Sequence, residues 1–562
     1  MVSLIGISIV NHFVLKNNQI DRTIKAIFVF GGKEEMKKAK KIIFPLLFLA
    51  VLDALILYVS LPTLNFHNPG MWLITLLNIF FICLFASGIE VDKGKITNIR
   101  KIPVIIVMIS AVVFIIGALA SSQIFNAKAY RDILTIETLD EANLPDVSDL
   151  NRIPLMDTES SKVLGNRKIG ALNEIVSQFE VSENYMTIAY KDMPVKVSPL
   201  IYAGFWKWNN NRTNGIPGYV LVEPNDLTAE YIKLSKGMKY VPSAFFGQDL
   251  ARHIYFRYPT TFYDNIHFEI DEEGNPFYVA TTYTYSIGLF GGKKITGAIV
   301  IDPVTGSMNR YTAGNLPEWV DIVYNGDYIA NYFDIYGRLI NGYWNSHFGQ
   351  KGLIESTTTT TYDSEGNEVR DHDFGYIVKD SDVLIYTGIT AVTNDESNIG
   401  YLMANERTGE VKISYFESTD EDSVMRAAEG EVQEKRYRAS FPSLINVNGT
   451  PAYVMVLKDN LGLVKMYAIV DAAQYSHMVV DDSLQKAVSL FAKGSVIIGS
   501  MEEKTVTIKR VELITTSGDT VVYIVDGNNN IYSADFEPSM LLLEEGQTIK
   551  IYTDGQTFSL EP

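Results

Sequence analysis

Gly274-Asn275-Pro276-Phe277-Tyr278-Val279 is one of three copies of a Gly-x-Pro-x-Tyr-Val string. The others are Gly215-Ile216-Pro217-Gly218-Tyr219-Val220 and Gly449-Thr450-Pro451-Ala452-Tyr453-Val454. Glycine supplies a tight turn, proline fixes φ at the start of a strand where no N–H is needed, and Tyr-Val begins an aromatic and β-branched run. Each copy predicts a hairpin that opens a strand, with Gly215, Pro217, Tyr219, Gly274, Pro276, Tyr278, Gly449, Pro451 and Tyr453 as its fixed positions. The copies lie 59 and 175 residues apart. Because 175 is close to three times 59, the longer gap has room for degenerate copies, and Val383 to Val392 is the best substitute within it.

Outward from each copy the surroundings also repeat. An amphipathic helix is expected ahead of the first, with Leu172, Ile175, Val176 and Phe179 on one face. Ahead of the second come Phe246, Leu250 and Ile254 after an N-capping Ser243, and ahead of the third Asp422, Met425, Ala428 and Val432. A further strand follows each hairpin, as in Ala298-Ile299-Val300-Ile301-Asp302-Pro303-Val304-Thr305-Gly306 and Met466-Tyr467-Ala468-Ile469-Val470-Asp471; another of this type ends in the turn Asn405-Glu406-Arg407-Thr408-Gly409. The unit reads as helix, strand, hairpin, strand, in an α+β fold. Beyond Gly494, five short alternating runs (495–498, 505–514, 520–525, 530–536 and 548–553) with Gly turns predict a small closed β-barrel of OB- or SH3-like type.

The helix, the Gly-x-Pro-x-Tyr hairpin and the strand ending in Asp302-Pro303-Val304-Thr305-Gly306 resemble the PepSY domain of bacterial secreted and membrane proteins. The likeness is best over 244–312 and 422–480. It is weaker over 160–235, where Glu223-Pro224-Asn225 replaces the Asp-Pro-x-Thr-Gly turn, and Asp471-Ala472-Ala473 lacks the Thr-Gly. With the apolar N-terminal part, the chain is similar to an uncharacterised polytopic membrane protein family of Firmicutes. The resemblance implies no catalytic residues and a role in binding or restraining peptidases or other envelope proteins.

That N-terminal part contains three apolar runs, Ile42 to Pro62, Met71 to Glu90 and Pro103 to Ser121, free of Lys and Arg. About 20 helical residues span roughly 30 Å, the thickness of a bilayer's hydrocarbon layer, so each is expected to cross as a transmembrane helix. Residues 1–41 carry eight Lys or Arg, and the second loop carries Lys93, Lys95, Arg100 and Lys101, whereas Thr63 to Gly70 carries none. The positive-inside rule then places the N-terminus in the cytoplasm and residues 122–562 outside a plasma membrane. Asp53, near the middle of the first run, is costly in hydrocarbon; an interhelical hydrogen bond to Asn78 would satisfy it and join two helices. Contact of Asp53 with a partner subunit and ion conduction are the competing roles.

Charge agrees with that address. The first 121 residues hold 12 of the 48 basic and 6 of the 66 acidic side chains, leaving 36 against 60, a net of −24, in residues 122–562. A surface this acidic argues against nucleic acid as a partner and against lying along an anionic membrane surface. The single cysteine, Cys83, sits in the second apolar run, so the outer part has no disulfide or thiolate chemistry, as suits a Gram-positive envelope. His253, His267, His347, His372 and His477 lack metal-ligand spacing, and His372 between Asp371 and Asp373 reads as a solvated loop. The acidic turns at 271–274 and 363–367 read as hairpin turns without calcium, and Thr357 to Thr361 as an exposed strand or hairpin. No cofactor, metal or catalytic residue is expected. Phe205-Trp206-Lys207-Trp208 and Thr282-Tyr283-Thr284-Tyr285 would suit a sugar- or peptide-binding face, but the Thr-Tyr alternation reads first as cross-strand packing.

These readings divide the chain into a cytoplasmic segment (1–41), a transmembrane region (42–121), a linker (122–158), a weak PepSY-like unit (159–240), a second unit (241–316), a degenerate α+β unit (317–420), a further PepSY-like unit (421–485) and the barrel (486–562). The expected function is a membrane-anchored, extracytoplasmic binding or regulatory protein of the cell envelope, non-catalytic in preference to an enzyme. Its expected partners are the lipid bilayer, another envelope protein and a second copy of the chain. The alternatives are an extracytoplasmic hydrolase of wall polymer or peptide and an accessory subunit of a transporter or sensor.

Overall fold

The computed structural model describes residues 33–90, 101–139, 144–362, 368–391, 394–494, 502–516, 519–536, 538–553 and 558–560. Residues 1–32 of the basic segment, Lys93, Lys95 and Arg100, the acidic turn at 363–367 and the expected strand 495–498 lie outside them.

The apolar runs form three helices, α1 (Lys33–Ser60), α2 (Pro69–Glu90) and α3 (Lys101–Ala120). The expectation that these are three transmembrane helices is corrected: among the described residues no single helix is long and apolar enough to cross a membrane. The apolar stretches Leu46–Ser60 and Pro69–Ile82 hold fewer than 18 residues each, under about 27 Å of rise against about 30 Å of hydrocarbon. α3 meets the requirement of length and composition only jointly with α4 (Gln123–Arg131), across a 49° bend. Asn126 braces that bend, its Nδ2 donating to the carbonyls of Ala120 and Ser122.

The rest is α+β, with four helix-plus-sheet units among the described residues. In the second unit, helix Leu250–Arg257 precedes an antiparallel meander of Phe262–Ile270, Pro276–Ile287, Gly291–Ile301 and Met308–Thr312. Its cap is Asp249, which accepts from Arg252 N at 2.8 Å. Ser243, the expected cap, instead accepts from Tyr202 N, because Phe246 turns left-handed at φ +54° and delays the helix. In the fourth unit, helix Glu421–Glu431, capped by Asp420, precedes a sheet centred on Thr450–Lys458 and Val464–Asp471.

The first unit departs from its expected shape. Its helix is Thr158–Gly170, capped by Asp157, while the stretch around Leu172 makes one turn, Asn173–Val176, and then a strand, Phe179–Val181. In the third unit, strand Asp382–Ala391 lies centrally, between Gly375–Lys379 and Asn394–Asn405. The stretch from 122 to 158 is built into the fold as well: strand Ile136–Leu139 pairs in parallel with Val411–Ser414 of the third unit.

The closed C-terminal barrel is also corrected. Among the described residues the strands pair in the order Ile531–Asp535, Asp519–Asp526, Glu502–Thr516, Thr548–Thr553, Phe558–Ser559, and no ladder joins the two end strands, although they lie close to each other. Its long strand pairs with Thr548–Thr553 through its first half and with Asp519–Asp526 through its second, with a register shift at Ile508/Arg510. A bend of that kind lets one strand serve two half-sheets, so curvature arises without closure.

Candidate functional site

The motif residues come first, because their geometry decides what kind of site they make. Gly215, Gly274 and Gly449 adopt φ of +79°, +81° and +89°, the left-handed region glycine enters without steric cost. In the second and fourth units the glycine turns one strand into the next, pairing Ile270 with Pro276 and Val447 with Thr450. In the first it ends helix Phe205–Asn211 instead, Gly215 N donating to Asn211 O at 2.8 Å, so no hairpin forms there. Pro276 is buried, and Pro217 and Pro451 are half-buried.

Tyr219, Tyr278 and Tyr453 are at most 2 % exposed. The Tyr219 hydroxyl donates to Gly274 O and that of Tyr453 to Thr419 O, each at 2.9 Å. Burial pushes all three phenols up. The motif therefore builds cores and joins units, the first copy's tyrosine holding the second copy's glycine. In the third unit a two-residue turn, Asp380-Ser381 at φ +53° and +60°, takes the motif's place. It meets the matching Lys191-Asp192 turn of the first unit, Ser381 N donating to Asp192 Oδ1 at 3.1 Å.

Asp53 and Asn78 are brought together: Asn78 Nδ2 donates to Asp53 Oδ1 at 2.9 Å between α1 and α2. Around this polar pair the helices pack by aromatic edges, Phe48 on Phe81 and Trp72 on Phe114. The layer then docks on the second unit. Hairpin residues Leu289 and Phe290 donate their N–H groups to Ser121 Oγ at 2.8 and 3.0 Å, His67 Nδ1 meets Leu289 O at 2.7 Å, and Phe290 packs on Phe114. Tyr255 Oη donates to Pro62 O, and the Arg252 guanidinium stacks over Tyr58.

Sequence reasoning missed a buried carboxylate group where the first three units meet. Glu269 Oε1 lies 2.7 Å from His267 Nε2, Glu269 accepts from Asp321 N and Ile322 N, Asp321 accepts from Ala189 N, and Glu406 accepts from Gly326 N. Burial, reinforced by Glu269, pushes Asp321 well above the usual carboxylate range. Burial pushes Glu406 up to about 8, with Glu269 and Asp327 adding to it and the Gly326 N–H opposing. These residues lie far apart in sequence and carry no motif. Among the described residues no cluster of His, Cys, Asp and Glu is arranged to hold a metal ion. His372, expected in a solvated loop, ends strand Glu368–His372 with its ring 3.0 Å from Ser356 Oγ.

An open cleft of about 530 Å³ lies beside the third unit's sheet, with Asp146, Lys379, Asp380, Asp382, Glu410 and Lys412 on its walls. Asp382 is held by Asn405 Nδ2 and Arg407 Nε, both at 2.6 Å, and Lys412 pairs with Glu410 at 2.9 Å. The Thr282 to Tyr285 alternation lies in strand Pro276–Ile287, where Tyr283 stacks on its cross-strand partner Phe262. Phe205 to Trp208 begin a helix in which Trp208 is buried and Trp206 exposed. No family model, curated protein or solved structure matches the chain.

Proposed function

We propose that the chain is a membrane-attached binding or regulatory protein of a bacterial cell envelope, whose apolar helical layer holds the sheet units and their cleft outside the membrane, within reach of a protein partner. The observation that carries this reading is the polarity of the layer. Phe44 is 70 % exposed, Val59 and Leu73 are 65 % and Ile116 is 59 %, and large apolar side chains exposed on all three helices call for a cover of lipid or protein. Lys33, Lys37, Lys38, Lys40 and Lys41 in the first turns of α1, and the acidic remainder, support placing the sheet units on the outer side. The PepSY-like reading of the units is part of the proposal, supported by helices ahead of antiparallel strands and by the left-handed motif glycines.

A cleft of this volume suits a peptide segment, and its mixed lysine and carboxylate walls suit one carrying both charges. Crosslinking of the intact protein in membranes, followed by mass spectrometry, tests the reading. An envelope partner attached near the cleft, and lost in Lys379→Glu with Lys412→Glu, is the expected result; self-crosslinks alone would contradict it. The four carboxylates on the cleft walls favour, as a second reading, hydrolysis of wall polymer or peptide. Turnover of such a substrate, lost in Asp380→Asn, would replace the binding role.

A further inference from the structure

Beside the end of α1 lies an aromatic shelf that the helical layer does not cover. Phe205 and Trp206 meet at 5.2 Å, Phe205 and Phe245 at 5.2 Å, and Trp208 and Phe246 at 5.7 Å. Trp206 is 74 % and Phe246 57 % exposed, an unusual state for large rings on a water-facing surface. Buried Trp208 anchors the shelf, its Nε1 donating to Gln248 Oε1 at 3.0 Å while Gln248 Nε2 donates to Arg212 O. A groove of about 430 Å³ runs along it, with Arg212 and Lys239 on its walls. Neither cation pairs with a carboxylate among the described residues; Arg212 lies 5.9 Å from the Trp208 ring.

We infer that this shelf rests in the headgroup region of an anionic phospholipid bilayer, its rings at the interface and Arg212 and Lys239 against lipid phosphates. The inference rests on the membrane attachment proposed above and adds which face of the sheet units touches lipid, and through which chemistry. Continuity with the helical layer selects lipid over other occupants. Phe246 O accepts from Arg252 Nη1 at 2.9 Å; the same guanidinium donates through Nε to Tyr58 O and lies 4.4 Å over the Tyr58 ring at the end of α1. Exposed Phe256 extends the rings beside Tyr58. Tryptophan, phenylalanine and flanking cations at the end of an apolar helical layer are the composition that partitions to a membrane–water interface. In a region of net −24, the two cations on the groove walls, neither paired with a carboxylate among the described residues, supply the positive charge that an anionic surface needs there.

Site-directed fluorescence on the full-length protein tests this. In a Cys83→Ser background, Trp206→Cys and, separately, Phe246→Cys carry a bimane label, with Ile109→Cys on α3 as the reference for the helical layer. The protein is reconstituted in phosphatidylcholine vesicles with or without phosphatidylglycerol and with headgroup-nitroxide or acyl-chain-nitroxide lipid. The expected result is quenching at 206 and 246 by the headgroup nitroxide, strengthened by phosphatidylglycerol, and quenching at 109 by the acyl-chain nitroxide. Arg212→Gln and Lys239→Gln should each weaken shelf engagement about fivefold. Quenching at 109 with silence at both shelf positions would overturn the inference and leave membrane attachment standing; silence at all three would overturn both. A response to soluble polyglutamate in place of lipid would make the shelf a peptide site, and quenching indifferent to phosphatidylglycerol would remove the anionic headgroup. Either outcome overturns the proposal.

Discussion

The helical layer and the sheet units are built with opposite polarity. In the layer, the Asp53–Asn78 hydrogen bond joins α1 to α2 while large apolar side chains such as Val59, Leu73 and Ile116 face outward. In the sheet units most large apolar residues turn inward, down to Val220, Ala280, Ile389 and Val454 with no exposed surface, and carboxylates are drawn in with them at the Glu269, Asp321 and Glu406 group. Burial of apolar area is the main favourable term in water. The sheet units have therefore largely satisfied it internally, whereas the helical layer leaves large apolar side chains exposed. The joint between them is mixed: Ser121 and His67 supply polar partners to the Leu289-Phe290 tip, and Phe114 supplies a ring.

The contrast is breakable at several points. The largest effect is expected from placing charge on the layer. Ile109→Asp with Ile116→Asp should cost about 2–3 kcal/mol per acid if lipid covers the face, measured as loss of the protein from the membrane fraction; retention would mean that the face does not touch lipid. Next comes the sheet core. Tyr453→Ala should lower unfolding stability by about 3–5 kcal/mol, judged by analogy with buried aromatics, whereas Ile116→Ala in detergent should stay within about 0.5 kcal/mol. Thermal unfolding of both decides whether the two regions differ as described.

The buried carboxylates give the third test. Burial pushes Glu406 up to about 8 in the folded state from the ordinary glutamate value of 4.5. The folded state thus binds more protons in that window, so its contribution is intact below about pH 4.5 and is lost as pH rises toward about 8. Glu406→Gln should flatten the fall in melting temperature over this range, by up to about 5 kcal/mol in stability, and an unchanged slope would remove Glu406 from the cause. The smallest effect belongs to the interhelical bond. Asp53→Ala should cost about 1 kcal/mol or less in detergent, and Asp53→Asn should restore most of it.

How much was legible in the sequence differs between the same two regions. The left-handed motif glycines were visible because a recurring Gly-x-Pro narrows the backbone choices at a turn, and three copies made the pattern countable. The third unit escaped that reading because Asp380-Ser381 makes its turn with both residues left-handed and no proline. Ser243 read as a cap because the apolar spacing ran through Phe246, whose φ of +54° interrupts the helix. The apolar runs read directly as helices, but their ability to cross a bilayer depended on unbroken apolar length, which Leu46–Ser60 and Pro69–Ile82 lack. The carboxylate group and the junction of Phe205 with Phe245 were invisible because folding, and not spacing, brings those residues together. Half of the aromatic shelf, at 205–208, was legible as a local string.

The most direct test of the central claim, that an apolar phase outside the protein covers the helical layer, is flotation of the purified full-length protein with phosphatidylcholine–phosphatidylglycerol vesicles in detergent-free buffer containing high salt. The account predicts that the protein floats with the vesicles, resists salt, and aggregates when lipid and detergent are both withheld. A monodisperse protein that stays at the bottom of the gradient would contradict it, because the exposed side chains of α1 to α3 would then need no cover.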